Sequence, residues 1–197
     1  MKDYPLFPLN IFLLPGEYTQ LYIFEERYKQ LINEAWENKS SFGIPFSNKL
    51  NARNYGTMVE VHEVVSRSEG GEMEIIVKAI GNFRLDKFYY QVSGKLYPAG
   101  DVDPLNDEIQ SYVSEALYHS FRAYLVKHEH YDVELLAKER FSYNELPAVL
   151  NFNDQEKLEF VGLSDKAAMD SYLRNYLRYL DLLHEQESRQ YKNFYLN

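Results

Sequence analysis

An α+β fold, a small β pseudo-barrel at about 1–100 with one helix, joined to an α-helical bundle at about 104–197 ending in a long helix, is predicted from the sequence of 197 residues. Three observations lead there. Pro5, Pro8 and Pro15 punctuate the apolar run Leu6 to Leu14, which can hold only short, bent or edge strand pieces, because proline fixes φ and removes a backbone donor. Two stretches rich in Val and Ile flank Gly70-Gly71. From Pro104 onward, apolar residues recur at spacings of three and four.

Taken in order, the chain opens as strand, turn, strand, helix. Pro15-Gly16 signals the turn: proline presets φ at the first central position and glycine accepts φ > 0 at the second. Thr19 to Phe24 reads as a buried strand, and the spacing of Tyr28, Leu31, Ile32 and Ala35 predicts a helix over 25–38, ended by Asn38-Lys-Ser-Ser41. Trp36, four positions after Ile32, belongs over the seam between that helix and the sheet. Phe42 to Phe46 is a short strand stopped by Pro45, and Ser47 to Asn54 is a polar loop. Met58 to Val65 and Met73 to Leu85 pair as an antiparallel hairpin. Adjacent Val64 and Val65 break its alternation and imply a bulge near His62-Glu63, and Gly81 implies a second bend. Tyr89 to Tyr97 reads as a further strand, ended by Pro98, Gly100 and Asp101-Val-Asp103. Strands bent in this way close most economically into a barrel, which removes exposed edges.

In the second half, Ile109, Tyr112, Val113, Ala116, Leu117, Phe121, Tyr124 and Leu125 form a stripe that predicts one long amphipathic helix to about His130. A shorter helix follows at about Asp132 to Arg140. Ser142-Tyr-Asn-Glu145 has capping-box spacing, although Pro147 would cost its helix one backbone bond. Asn153-Asp-Gln-Glu156 repeats the spacing, Gly162 suits a C′ position, and Ser164 can cap the last helix. There Met169, Leu173, Tyr176, Leu180 and Leu183 keep a four-three spacing to about Gln190, a length of about 40 Å. Two heptads are too few for a coiled coil, so packing within a bundle is expected.

Composition narrows the function. A chain of this size can bury roughly 70% of its unfolded surface. It has no cysteine, which excludes disulfides, thiolate metal sites and a cysteine nucleophile and fits a reducing, cytoplasmic setting. Met1-Lys2-Asp3 leads directly into a proline-punctuated strand, so no signal peptide is expected, and no run spans a membrane. The net charge of −9 is uneven: residues 1–100 hold 11 Lys and Arg against 12 Asp and Glu, and the remainder 10 against 18. A neutral first half and an acidic second half argue against a nucleic-acid partner, whose phosphates need clustered cations. The 18 tyrosines suit either the rim of a core or contact surface for other chains, and they leave a homodimer open.

Catalytic signatures are missing. Gly94-Lys95 is followed by Leu96 and makes no phosphate loop, and neither a Gly-x-Ser-x-Gly elbow nor a His-Glu-x-x-His helix occurs. His128-Glu-His130 is the only histidine cluster, but positions two apart on a helix point about 200° away from one another, so the pair is ill-suited to hold one metal ion. No cofactor is implied. An enzyme is not expected.

The amino-terminal half resembles the Lon amino-terminal domain family, the substrate-binding domain of ATP-dependent Lon proteases, which also occurs as a stand-alone protein. The resemblance rests on Phe7-Pro-Leu9, Leu14-Pro-Gly16 and Ile23-Phe-Glu-Glu-Arg-Tyr28, where the family has proline in place of Glu26. Phe42-Gly43, Gly56-Thr57, Glu69-Gly-Gly71 and Gly81-Asn-Phe-Arg-Leu85 follow in the family's order, and the second half is similar only in helical pattern. What the resemblance implies is a PUA-like β pseudo-barrel that binds exposed apolar segments of other polypeptides, or serves as adaptor to a protease, without the family's ATPase or proteolytic domains. Such binding needs apolar groups left in water and strand edges free to pair. The crowded loop Ile11 to Pro15 offers Phe12, Leu13 and Leu14 as exposed candidates, unless they plug the barrel end, and Tyr89 and Tyr90 form a second patch. The alternative is a small-ligand or RNA-binding module, since PUA-like barrels elsewhere bind RNA; a basic stripe would mark it.

Overall fold

The structure, a computed structural model, describes residues 1–105, 107–128, 133–163 and 165–194. Six strands, β1 (Tyr4–Pro5), β2 (Tyr18–Ile23), β3 (Phe42–Pro45), β4 (Tyr55–Arg67), β5 (Met73–Tyr89) and β6 (Ala99–Pro104), form one antiparallel sheet. Its order is β1-β6-β5-β4-β3, with β2 paired to β5. The segment after β1 closes the ring. Leu6 and Leu9 bridge Gly43 and Phe46 in parallel, and the Phe7 N–H donates to the Gly43 carbonyl at 2.7 Å. Phe7 and Leu9 donate across this seam, to the Gly43 and Pro45 carbonyls, while Leu6 donates the other way, to Pro98; Pro8 stands between the two seam donors, where a missing N–H costs nothing.

Pro15-Gly16 makes the expected turn: the Glu17 N–H donates to the Leu14 carbonyl at 3.0 Å, and Gly16 holds φ 92°, which a side chain would strain. In the β4–β5 ladder the register slips at Met58/Val59, Val61/Glu63 and Val64/Ser66. The second slip is the bulge read from the sequence, and the first lies beside Gly81. These bends curl long strands around a core of Ile23, Ile44, Val59, Ile75 and Val77. Helix α1 (Glu26–Asn38) lays Tyr28, Leu31, Ile32 and Ala35 onto that core, with Tyr28 stacked on Phe7. Trp36 lines a groove with Glu60, Val61 and His62, at the helix–sheet seam where its spacing places it.

Two expectations for this half are corrected. Residues 90–98 are not a strand: β5 runs on to Tyr89, one bridge links Val92 to Lys95, and the sixth strand is Ala99–Pro104. The acidic residues suggested an end, but β6 alternates, burying Val102 while Asp103 faces outward to meet Arg84. Nor is 19–24 a wholly buried strand, because Tyr22 and Phe24 are each 60% exposed.

The second half contains a 3-10 turn (Asp107–Gln110), α2 (Glu115–Lys127), α3 (Val133–Ala137), α4 (Glu145–Val149), α5 (Asp154–Val161) and α6 (Lys166–Phe194). The single helix expected from Ile109 is broken. The Ser111 hydroxyl donates to the Glu108 carbonyl at 2.6 Å, Tyr112 bridges Ser142, and Ser114 caps α2 by accepting from the Leu117 N–H. Serine side chains compete for backbone groups, so two of them halt a helix that the apolar stripe alone would continue. Pro147 proves harmless, since α4 begins at Glu145 and its first turn has no intrahelical N–H bonds to lose. Glu145 accepts from the Ser142 N–H as its spacing requires, and the Asn153–Glu156 box closes in both directions. Gly162 ends α5 at φ −76°, not in the left-handed region, and the Arg53 guanidinium, the movable end of a long side chain, lies over it. Ser164 and the pair Glu129-His130 lie outside the described residues. Leu117, Phe121, Leu146, Phe160 and Leu173 form the helical core, which also takes in Phe12, Leu14, Phe46 and Tyr55 from the first half.

Candidate functional site

The loop at 11–15 faces inward. Phe12 is 2% exposed and Leu14 fully buried, so the expectation that they stand in water is corrected, and Leu13 is partly buried. Both join the core of the helical half, and Phe12 packs on Phe46, the residue after β3, with ring centroids 5.7 Å apart. Their backbone is gripped as firmly. The Leu13 N–H donates to Thr57 Oγ1 at 3.1 Å, and the Leu13 carbonyl accepts from that hydroxyl and from Asn82 Nδ2 at 2.8 Å. Asn144 Nδ2 donates to the Pro15 carbonyl at 2.7 Å, and Glu17 accepts from the Leu14 N–H and from Lys157 Nζ, each at 2.7 Å. Apolar side chains with satisfied backbone groups make this loop a plug joining the barrel to the helices.

Tyr89 and Tyr90 divide. Tyr90 is 85% exposed, with its ring edge against Phe88. Tyr89 is half-buried and donates its hydroxyl to Asp101 at 2.9 Å, a bond to a carboxylate that raises its pKa.

A further candidate surface, with exposed aromatic rings among polar and charged side chains, lies on the outer face of the β2–β5–β4 sheet. Strand side chains alternate, so Leu21 and Ile23 go to the core while Tyr18, Gln20 and Tyr22 face outward. The register sets Tyr18 beside Lys78, Gln20 beside Ile76 and Tyr22 beside Glu74. Across β5, Glu60, Glu63 and Ser66 complete the same three rows. The slips at His62 and Val65 leave both exposed, and the His62 ring meets Tyr18 edge-on at 5.1 Å. Lys78 leans over Tyr18, and Tyr22 stacks on Phe24 at 6.0 Å. The result is a row of solvated aromatic rings, Tyr18, Tyr22 and Phe24, on a folded sheet. Sequence reading missed it because Thr19 to Phe24 looks apolar in both phases; the available signal was the alternation of Tyr18, Gln20 and Tyr22 with Thr19, Leu21 and Ile23.

This strand also has an open side. Ala79 faces this strand, its N–H donating to the Glu17 carbonyl at 2.9 Å and its carbonyl accepting from the Gly16 N–H at 2.8 Å, and antiparallel ladders alternate, so Thr19, Leu21 and Ile23 bond β5. The N–H and C=O of Tyr18, Gln20 and Tyr22 therefore point away from the sheet. Among the described residues no other strand pairs with β2.

Elsewhere several polar groups pair with one another. In the groove between α1 and the Gly70-Gly71 turn, Lys29 bonds Glu26 and the Gly70 carbonyl, Arg67 bonds Asn33, and Lys95 bonds Glu34. His128 bonds Asp181 at 2.6 Å and stacks on His184; that bond, joined by Lys127, holds the Asp181 carboxyl below its ordinary range. Among the described residues no three His, Cys, Asp or Glu side chains are grouped to hold a metal, and no helix is long and apolar enough to cross a membrane.

Comparison with known proteins agrees with this architecture. A family model described as the ATP-dependent protease La (LON) substrate-binding domain matches residues 3–186. No curated protein matches the chain. Among solved structures, a Lon N-terminal domain protein from Xanthomonas campestris superposes with TM-score 0.65 at 22% identity, covering 89% of this chain and 96% of that one. The N-terminal domain of a Mycobacterium avium complex Lon protease superposes with TM-score 0.58 at 13% identity, covering 89% and 97%.

Proposed function

This chain belongs to the family of LON substrate-binding domains, and from that premise we propose that it is a non-catalytic binder of other polypeptides, engaging exposed apolar segments on the outer sheet face. The observation that carries this reading is the row Tyr18, Tyr22 and Phe24, rings left in water where the fold does not require them. Aromatic rings supply contact area at low entropic cost, and contiguous exposed apolar surface marks interaction sites. Tyr90 adds a second, smaller contact. Phe12 and Leu14 have no part in capture, because the plug would have to open first. The groups around the rings include no paired nucleophile and base, and the face carries Glu60, Glu63 and Glu74 against Lys78 alone, which disfavours a phosphate backbone. In a protease system the same binding would deliver clients as an adaptor.

The test is binding of a permanently unfolded, reduced and alkylated polypeptide, followed by fluorescence anisotropy. Tyr22→Glu combined with Phe24→Glu is expected to weaken it at least tenfold. Exposed positions of this kind change stability by only about 0.5 kcal/mol, so the melting temperature should hold. A folded double variant that binds as the parent does would refute the reading.

A further inference from the structure

We infer that the bound segment docks by adding a strand to the free edge of β2, and that it is an extended stretch of uncharged, β-forming residues flanked by lysine or arginine. This rests on the polypeptide-binding reading and adds to it a mode and a chemistry. The edge is unguarded. Natural edge strands are blunted by charge, proline or a bulge, yet Tyr18 to Phe24 contains no charged residue, no proline and no glycine. The other short strands are protected, since β1 and β3 contain Pro5 and Pro45 and are joined through the 6–9 segment. β2 keeps its outward N–H and C=O groups available, the requirement for strand addition.

Charge selects the occupant. Glu60, Glu63 and Glu74 line the outer face with no ion pair among the described residues, and Lys78, the only cation in the three rows, is directed at the Tyr18 ring. A second copy would bring the same acidic face alongside, within a chain of net charge −9, so self-pairing is disfavoured and a basic-flanked segment is favoured. Once added, the segment's outward side chains stand beside Tyr18, Gln20 and Tyr22, where aromatic and β-branched cross-strand pairs contribute most.

The experiment uses the full chain and a capped peptide of about eight residues, Thr alternating with Val around a central Tyr, with Lys at both ends. Two further versions carry N-methyl groups on alternate residues, one on each edge of the extended peptide. Main-chain pairing predicts that one N-methylated version loses at least tenfold in affinity while the other binds like the parent. Replacing the terminal Lys by Glu should cost at least tenfold at low salt, a difference that shrinks as salt is raised. If both N-methylated versions bind equally, or the parent peptide fails where the unfolded polypeptide binds, strand addition is wrong and the aromatic-face reading survives. If neither peptide nor unfolded polypeptide binds, the reading itself falls. Concentration-dependent dimerisation abolished by Gln20→Pro would overturn the choice of occupant.

Discussion

Phe12 shows how far a single residue's surroundings govern its role. It occurs in a run of apolar residues between prolines, which composition alone cannot orient, and the core it joins takes its members, Phe46, Phe121 and Leu173 among them, from all along the chain. Phe12→Ala should therefore cost about 3–5 kcal/mol in denaturant unfolding, with binding by the remaining folded protein unchanged. The tyrosines make a second prediction. Burial pushes Tyr4 and Tyr172 up to about 12, and Tyr143 and Tyr176 are raised as well, mainly by burial and then by Asp170 and Glu156. Unfolded tyrosine ionises near 10, so these groups bind their protons more tightly when folded. Their stabilising contribution is complete below pH 10 and disappears as pH climbs from 10 through 12. Melting temperatures should fall steeply across that window, with tyrosinate absorbance rising together with loss of circular dichroism. Complete ionisation before any loss of structure would contradict the assignment.

At the level of elements, local chemistry was legible wherever the signal lay within a few residues. The turn at Pro15-Gly16, helix α1, the β4–β5 hairpin with its bulge, and the Asn153–Glu156 box all follow from neighbours in sequence. Asn153→Ala removes the acceptor for the Glu156 N–H and should cost about 1 kcal/mol, read from the shift of the urea midpoint at constant slope. Elements set by distant partners were hidden. The serine bonds at 111 and 114 are local, but the bridge from Tyr112 to Ser142 that completes the break before α2 is not, and β6 exists because β5 continues past Leu85 to receive it. The candidate surface divides along the same line: Tyr90 could be read from its neighbours, whereas the outward phase of Tyr18 and Tyr22 depends on which side of β2 meets the core.

For the whole molecule, the barrel and the helices share one interior across the loop at 11–15. The ion pair Glu17–Lys157 and the bond from Asn144 to Pro15 fasten the same place from outside. A fragment ending at residue 105 should consequently fail to unfold cooperatively in denaturant and should aggregate, because Phe12, Leu14 and Phe46 lose their cover. A cooperative transition in that fragment would mean that the barrel completes its own core. During synthesis the arrangement imposes a delay. Phe12 and Leu14 leave the ribosome more than a hundred residues ahead of Leu117, Phe121 and Leu173, so the nascent chain must carry these greasy side chains bare until its carboxyl-terminal helices emerge. For most of its own translation the domain thus exposes apolar side chains of the kind a chaperone would hold.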